Sequence, residues 1–124
     1  MAKRKTLKKE FEEFKEEFKK WMDIFDLNDW DVKFQMFELE NSYLAQIQYS
    51  KDEMAATVAL NSMQPNPIGK EAKIKSTAQH EALHLLLASL EDEARDRYLT
   101  EKALRSCVEG TVARISKGIE RLGG

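Results

Sequence analysis

The sequence predicts an α+β fold in a single domain spanning residues 1–124, and three observations predict it. Apolar residues recur every three or four positions from Thr6 to about Phe25, alternate strictly in three runs between Trp30 and Leu60, and return to helical spacing from about Lys70 onward. A chain of 124 residues supports one core and not two. No repeat, linker or low-complexity tract divides it. The expected order is an N-terminal helix, a three-stranded and mainly antiparallel sheet, a central helix and a C-terminal helix.

In the first helix Leu7, Phe11, Phe14, Phe18, Trp21, Met22 and Phe25 form one stripe, while Glu16 and Lys20 pair on the opposite face. A domain this small needs that stripe for its core, so it is read as inward-facing rather than as a partner-binding or lipid-binding face. Helical spacing stops at Asn28-Asp29. From Trp30 to about Leu39 the set Trp30, Val32, Phe34, Met36 alternates with polar residues, which predicts a half-buried strand. Tyr43, Ala45, Ile47, Tyr49 and then Met54, Ala56, Val58, Leu60 give two more strands. The short polar turn Lys51-Asp52-Glu53 between them predicts an antiparallel hairpin.

Pro65, Pro67 and Gly69 mark Ser62 to Gly69 as a loop. The central helix is expected from about Lys70 to Leu90, with its second half apolar nearly all round and therefore buried. Glu91 to Arg97 is too charged for core. Thr100 is a candidate cap for a last helix traced by Leu104, Val108, Thr111, Val112, Ile115, Ile119 and Leu122, ending at Gly123-Gly124.

Composition narrows the function. With 20 Lys and Arg against 22 Asp and Glu, the net charge of -2 supplies no positive field for a phosphate backbone, so nucleic acid is not an expected partner. The basic start, Met1 to Lys5, is followed by charged Lys8-Lys9-Glu10 rather than an apolar stretch, and no run reaches membrane-spanning length. A cytoplasmic protein is expected, without a membrane partner. The single cysteine, Cys107, excludes an internal disulfide and a multi-cysteine zinc site. Any metal must then be held mainly by His and carboxylate.

The central helix contains His80-Glu81-Ala82-Leu83-His84. A spacing of four puts both imidazoles on one helix face, one turn apart, where they can bind one Zn²⁺ while Glu81 polarises a water on the metal. The competing reading is a pair of core histidines with an ordinary helical Glu81. It would place three polar groups on the most apolar helix of the chain, at a cost unless each finds a partner.

A catalytic zinc takes three protein ligands. The chain has two histidines, so the third is sought among the later carboxylates Glu91, Asp92, Asp96, Glu101 and Glu109. If the central helix ends near Leu90, His84 lies about 9 Å from its end, and a helix folding back from Thr100 regains that level after about six to ten residues. That window contains Glu109 and misses Glu101. Periodicity votes the other way, because Glu101 projects near the middle of the apolar stripe and Glu109 onto its flank. Glu109 is therefore the first choice and Glu101 the second.

His80-Glu81-x-x-His84 on a buried helix, a downstream helix offering Glu109-x-x-Val112-Ala113, and a preceding three-stranded sheet together resemble a minimal gluzincin-type zinc metallopeptidase domain. The chain is similar to short phage and prophage metallopeptidases and, more distantly, to ImmA/IrrE-type peptidases. The resemblance covers about Trp30 to Leu122, and its specific part is the five-residue motif. It implies a zincin-like core and peptide hydrolysis at zinc bound by two His and one Glu, with Glu81 as general base on the zinc-bound water. A peptide or protein substrate would add as a strand along an exposed sheet edge, for which Ala55 to Asn61, small and weakly charged, is the candidate. Tyr98 could hydrogen-bond the oxyanion, although a packed tyrosine is the commoner role. The alternative function is a zinc-stabilised interaction module, encoded by a phage, that keeps the metal and has no turnover. Glu81 favours the enzyme, since binding zinc does not require it and activating water does.

Overall fold

Lys3–Lys5 forms a short strand, β1, that leads directly into α1 (Lys8–Ile24), whose Phe-rich stripe organises the core. The computed structural model describes residues 3–40, 43–65, 73–96 and 98–123. Phe14 and Phe18 are fully buried, and both meet the Phe34 ring edge-on at centroid distances of 6.4 and 5.4 Å. From Phe11 to Phe25 the stripe thus faces inward, whereas Leu7 at its start is exposed. At the start of α1 the Leu7 N–H donates to the Glu10 carboxylate at 2.9 Å, and Arg4 grips the same carboxylate through both its terminal nitrogens at 2.6 Å. The Arg4 guanidinium holds the Glu10 carboxyl below the usual range.

Helix α1 ends in a Schellman turn: Asp26 sits at φ 57°, its N–H bonds the Asp23 carbonyl, and the Leu27 N–H reaches back to the Met22 carbonyl at 2.8 Å. Leu27, almost fully buried, closes the turn. The chain then enters β2 (Asp31–Phe37), β3 (Ala45–Ser50) and β4 (Ala55–Asn61). These three form one sheet in the order β2-β4-β3. The β3–β4 hairpin is antiparallel, with Ala45 opposite Leu60, as expected.

The β2–β4 pair is parallel, with Asp31 opposite Ala55 and Phe37 opposite Asn61, so the sheet is mixed rather than mainly antiparallel. The cause is topological. Strand β4 turns back from β3 and inserts beside β2, and running opposite to β3 makes it run along β2. As the central strand it is buried on both faces, which explains its small and apolar sequence, Ala-Ala-Thr-Val-Ala-Leu-Asn.

Part of the stretch expected as loop is a strand. Met63–Pro65 forms β5 and pairs antiparallel with β1, Lys3 opposite Pro65; the rest of that stretch lies outside the described residues. Next come α2 (Ile74–Leu86), α3 (Ala88–Ala94) and α4 (Glu101–Arg121). The helix expected to continue to Leu90 breaks at Leu87, which ends α2 and starts α3. Thr100 caps α4 as expected, its hydroxyl accepting from the Ala103 N–H at 3.0 Å. Among the described residues no helix is long and apolar enough to cross a membrane.

Asn61 joins these parts. Its side-chain oxygen accepts from the Leu39 and Met63 N–H groups at 3.2 and 3.0 Å, its amide donates to the Tyr43 carbonyl at 2.7 Å, and its own carbonyl receives Thr6 Oγ1 and Gln64 Nε2. Asn61→Ala strands buried partners on three segments and is expected to cost about 2–4 kcal/mol, scaling the usual penalty for unsatisfied buried groups. Urea denaturation of the variant beside the wild type measures it.

Candidate metal and catalytic site

Helix α2 has two characters. Ile74, Ala78, Ala82, Leu85 and Leu86 are buried, Ala78 and Ala82 completely, and small side chains there let the helix pack closely on α1. The opposite face carries His80, Leu83, His84 and Leu87, all exposed. The helix is therefore half-buried rather than enclosed, and the histidines stand on its open side.

The two imidazoles lie together. His80 Nε2 and His84 Nε2 are 3.2 Å apart, and the rings are inclined at 76°. Two zinc–imidazole bonds of 2.0–2.1 Å at a tetrahedral angle span about 3.3 Å between the nitrogens. Without a metal, the same separation lets one imidazole N–H donate to its neighbour. Glu81, one residue on, turns toward the interior and is only 6% exposed. Burial pushes its carboxyl above the usual glutamate value, and the nearby His84 and His80 restrain that rise. A carboxyl tuned upward by desolvation is suited to taking and returning a proton near neutral pH.

These three residues line one wall of a cleft of about 790 Å³. The facing wall is β3, through Ala45, Gln46, Ile47 and Tyr49, together with Tyr43 and Leu44 before it. Because β3 is an outer strand of its sheet, the cleft runs beside a strand edge. This corrects the expectation for Ala55 to Asn61: that segment, β4, is the central strand, paired on both sides, and cannot receive an added strand. Its low charge reflects interior position, not an available edge.

Of the later carboxylates, Glu91 lines the cleft, at the end near Tyr49. It also accepts from Arg95 at 2.8 Å. Glu109 is exposed on α4 and is not brought to the histidines; Glu101 is exposed too and pairs with Arg105 at 3.2 Å. Among the described residues no three His, Cys, Asp or Glu side chains gather closely enough to hold a metal ion. Two imidazoles thus fit zinc, and a third protein ligand is not assembled beside them. The fold-back that pointed to Glu109 assumed an unbroken helix to Leu90. The chain instead breaks at Leu87, and α4 packs on α3 and reaches the end of α1. There Arg114 and Arg121 bind the carbonyls of Asp26 and Asp23, and Lys117 pairs with Asp26 at 3.1 Å. These cations stand at the negative end of the α1 dipole.

Tyr98 is 80% exposed and does not line the cleft. Tyr49 does, and sequence reasoning passed over it. Its hydroxyl is buried close to the Glu91 carboxylate, and burial, aided by that charge, raises its pKa. The available signal was its inward register in the alternating set Tyr43, Ala45, Ile47, Tyr49. Comparison with protein-family models, curated proteins and solved structures found no match.

A raised Glu81 pKa means the folded protein binds that proton more tightly than the unfolded chain does. Stability therefore falls as pH rises from the ordinary glutamate range through the raised value. In protein stripped of metal, Glu81→Gln is expected to melt higher than wild type at pH 7–8, with the difference shrinking in acid. Thermal melts across pH check this.

Proposed function

We propose that this chain is a zinc-dependent peptidase in which His80 and His84 hold the metal and Glu81 is the general base. The observation that carries the reading is the 3.2 Å separation of two imidazole nitrogens on the wall of a cleft whose other wall is an outer strand, with a buried, upward-tuned carboxyl between the histidines in sequence. The lone free thiol, Cys107, suits a cytoplasmic setting.

Bound zinc would supply Lewis acidity, lowering the pKa of water at the site and polarising the substrate carbonyl. The chain's own residues do the rest. The β3 edge offers backbone N–H and C=O groups to an extended peptide and lays it beside α2, with Ile47 and Leu44 contacting its side chains. Glu81 takes the proton from water as it attacks the scissile carbonyl. It then returns that proton to the departing amine. A third ligand would be a carboxylate, and Glu91 is the one that lines the cleft.

Zinc content of purified protein tests the metal. His80→Ala and His84→Ala are each expected to reduce one zinc per chain to background, and undiminished zinc in either variant refutes the assignment. Of Glu91→Gln and Glu109→Gln, the one that weakens zinc affinity by about tenfold or more marks the third ligand.

Glu81→Gln separates the enzyme from a zinc-stabilised module. It should retain zinc and fold while slowing cleavage of an unstructured substrate such as casein by about a hundredfold to ten-thousandfold. Wild-type protein that is fully zinc-loaded yet cleaves nothing in a broad peptide library supports the module instead.

A further inference from the structure

Helix α4 is the longest element of the chain, yet none of its residues joins the hydrophobic core formed among the described residues. Val108, Val112, Ile115 and Ile119, with Leu122 just past its end, are exposed. The row turned to the body is small or polar: Cys107, Thr111, Arg114 and Gly118 follow at intervals of 4, 3 and 4, and half-buried Leu104 is the one large apolar residue beside them. At Gly118 the approach is close enough that an added Cβ would stand 2.3 Å from the Phe25 ring. A seam of this kind buries little apolar surface, so packing alone holds α4 weakly.

Charge supplies the rest, and it is concentrated at one end. Arg114 reaches the Asp26 carbonyl and, at 3.0 Å, the Asp29 carboxylate; Lys117 pairs with the Asp26 carboxylate at 3.1 Å; Arg121 reaches the Asp23 carbonyl and, at 3.1 Å, that of Ile24. Lys117, with Arg121 and Arg114 beside it, holds the Asp26 carboxyl below the usual aspartate range. Asp26, Asp29 and Lys117 are each about half exposed, so solvent ions can screen these pairs. Helix α4 also packs on α3, which carries Glu91 into the cleft, and whatever fixes α4 therefore steadies that end of the cleft.

We propose that α4 is an arm latched by charge: Arg114, Lys117 and Arg121 dock it on the end of α1, and screening or reversing that charge releases it while α1, the sheet and α2 stay folded. Exposed pairs are individually weak, so the arm opens at a free energy well below that of global unfolding. Release uncovers Phe25. It also opens the cavity of about 420 Å³ in which the Cys107 thiol faces Leu86, Ser89 and Glu93. This inference does not rest on the peptidase reading.

Amide hydrogen exchange of the full chain, read on proteolytic peptides, tests the latch at about 10 mM and about 1 M sodium chloride, between which the screening length falls from about 30 to 3 Å. In high salt the α4 amides are expected to exchange about tenfold faster, with those of β4 and α2 unchanged. Lys117→Glu, on an exposed position, should do the same in low salt by setting a second carboxylate against Asp26. Adding Asp26→Asn, which the left-handed turn accepts, should then restore protection in part. Protection of α4 indifferent to salt or to Lys117→Glu, equal loss in α4 and β4, or no recovery in the Lys117→Glu, Asp26→Asn chain would each overturn the proposal.

Discussion

The arrangement depends on one helix having to satisfy two environments. Helix α2 must bury Ile74, Ala78, Ala82, Leu85 and Leu86 against α1 and the sheet, yet the same three turns carry two imidazoles and a carboxyl. Desolvating all three polar groups together would be strongly unfavourable. The helix resolves this by its rotation, which keeps both histidines in the cleft and places only Glu81 at the boundary of the core. Residues four apart share a face, whereas the neighbour of the first histidine points about 100° away, so the division follows from helical geometry alone. The two imidazoles are thereby left accessible to solvent, and the carboxyl beside them is mostly withdrawn from it.

That division has value only if the facing wall of the cleft is fixed. Strand β3 has one free edge and follows the turn-prone stretch after Leu39, so by itself its start would be weakly held. Asn61 holds it: the backbone N–H of Asn61 donates to Leu44 and its side-chain amide to Tyr43, while the same residue anchors Leu39 and Met63. The small β1–β5 sheet, tied to α1 through Arg4 and Glu10, closes the opposite side of this junction through Thr6. A polar residue in an interior strand is thus compatible with stability because every one of its groups is used.

What could be read in the sequence was what depends on short-range periodicity. The Phe14–Phe18 stripe, the hairpin around Lys51-Asp52-Glu53, the Thr100 cap and the shared face of His80 and His84 each need only local spacing. The parallel β2–β4 pairing needs knowledge of which strand inserts where, and alternation along a strand does not encode its neighbours. The same ambiguity made Ala55 to Asn61 look like an available edge, since small, uncharged residues suit an open strand and a central one alike. The break at Leu87 has no Gly or Pro to announce it. From that break follow the path of α4, the placement of Glu109 away from the histidines and the entry of Glu91 into the cleft.

Helix α4 shows how far polar contacts can direct an amphipathic helix against its own apolar stripe. Burying five aliphatic side chains, at about 25 cal/mol per Å² of apolar surface, would ordinarily decide which way a helix faces. Against it stand a glycine that admits Phe25 into direct contact and three cations seated on the last turn and loop of α1, at the negative end of its dipole. Moving the stripe inward would drive Arg114 and Arg121 off those carbonyls and away from the negative end of the α1 dipole. The contacts of Arg114, Lys117 and Arg121 with the end of α1, and the approach of Gly118 to Phe25, exist only in this rotation. The orientation of α4 therefore follows its contacts with the end of α1 and not its largest apolar area.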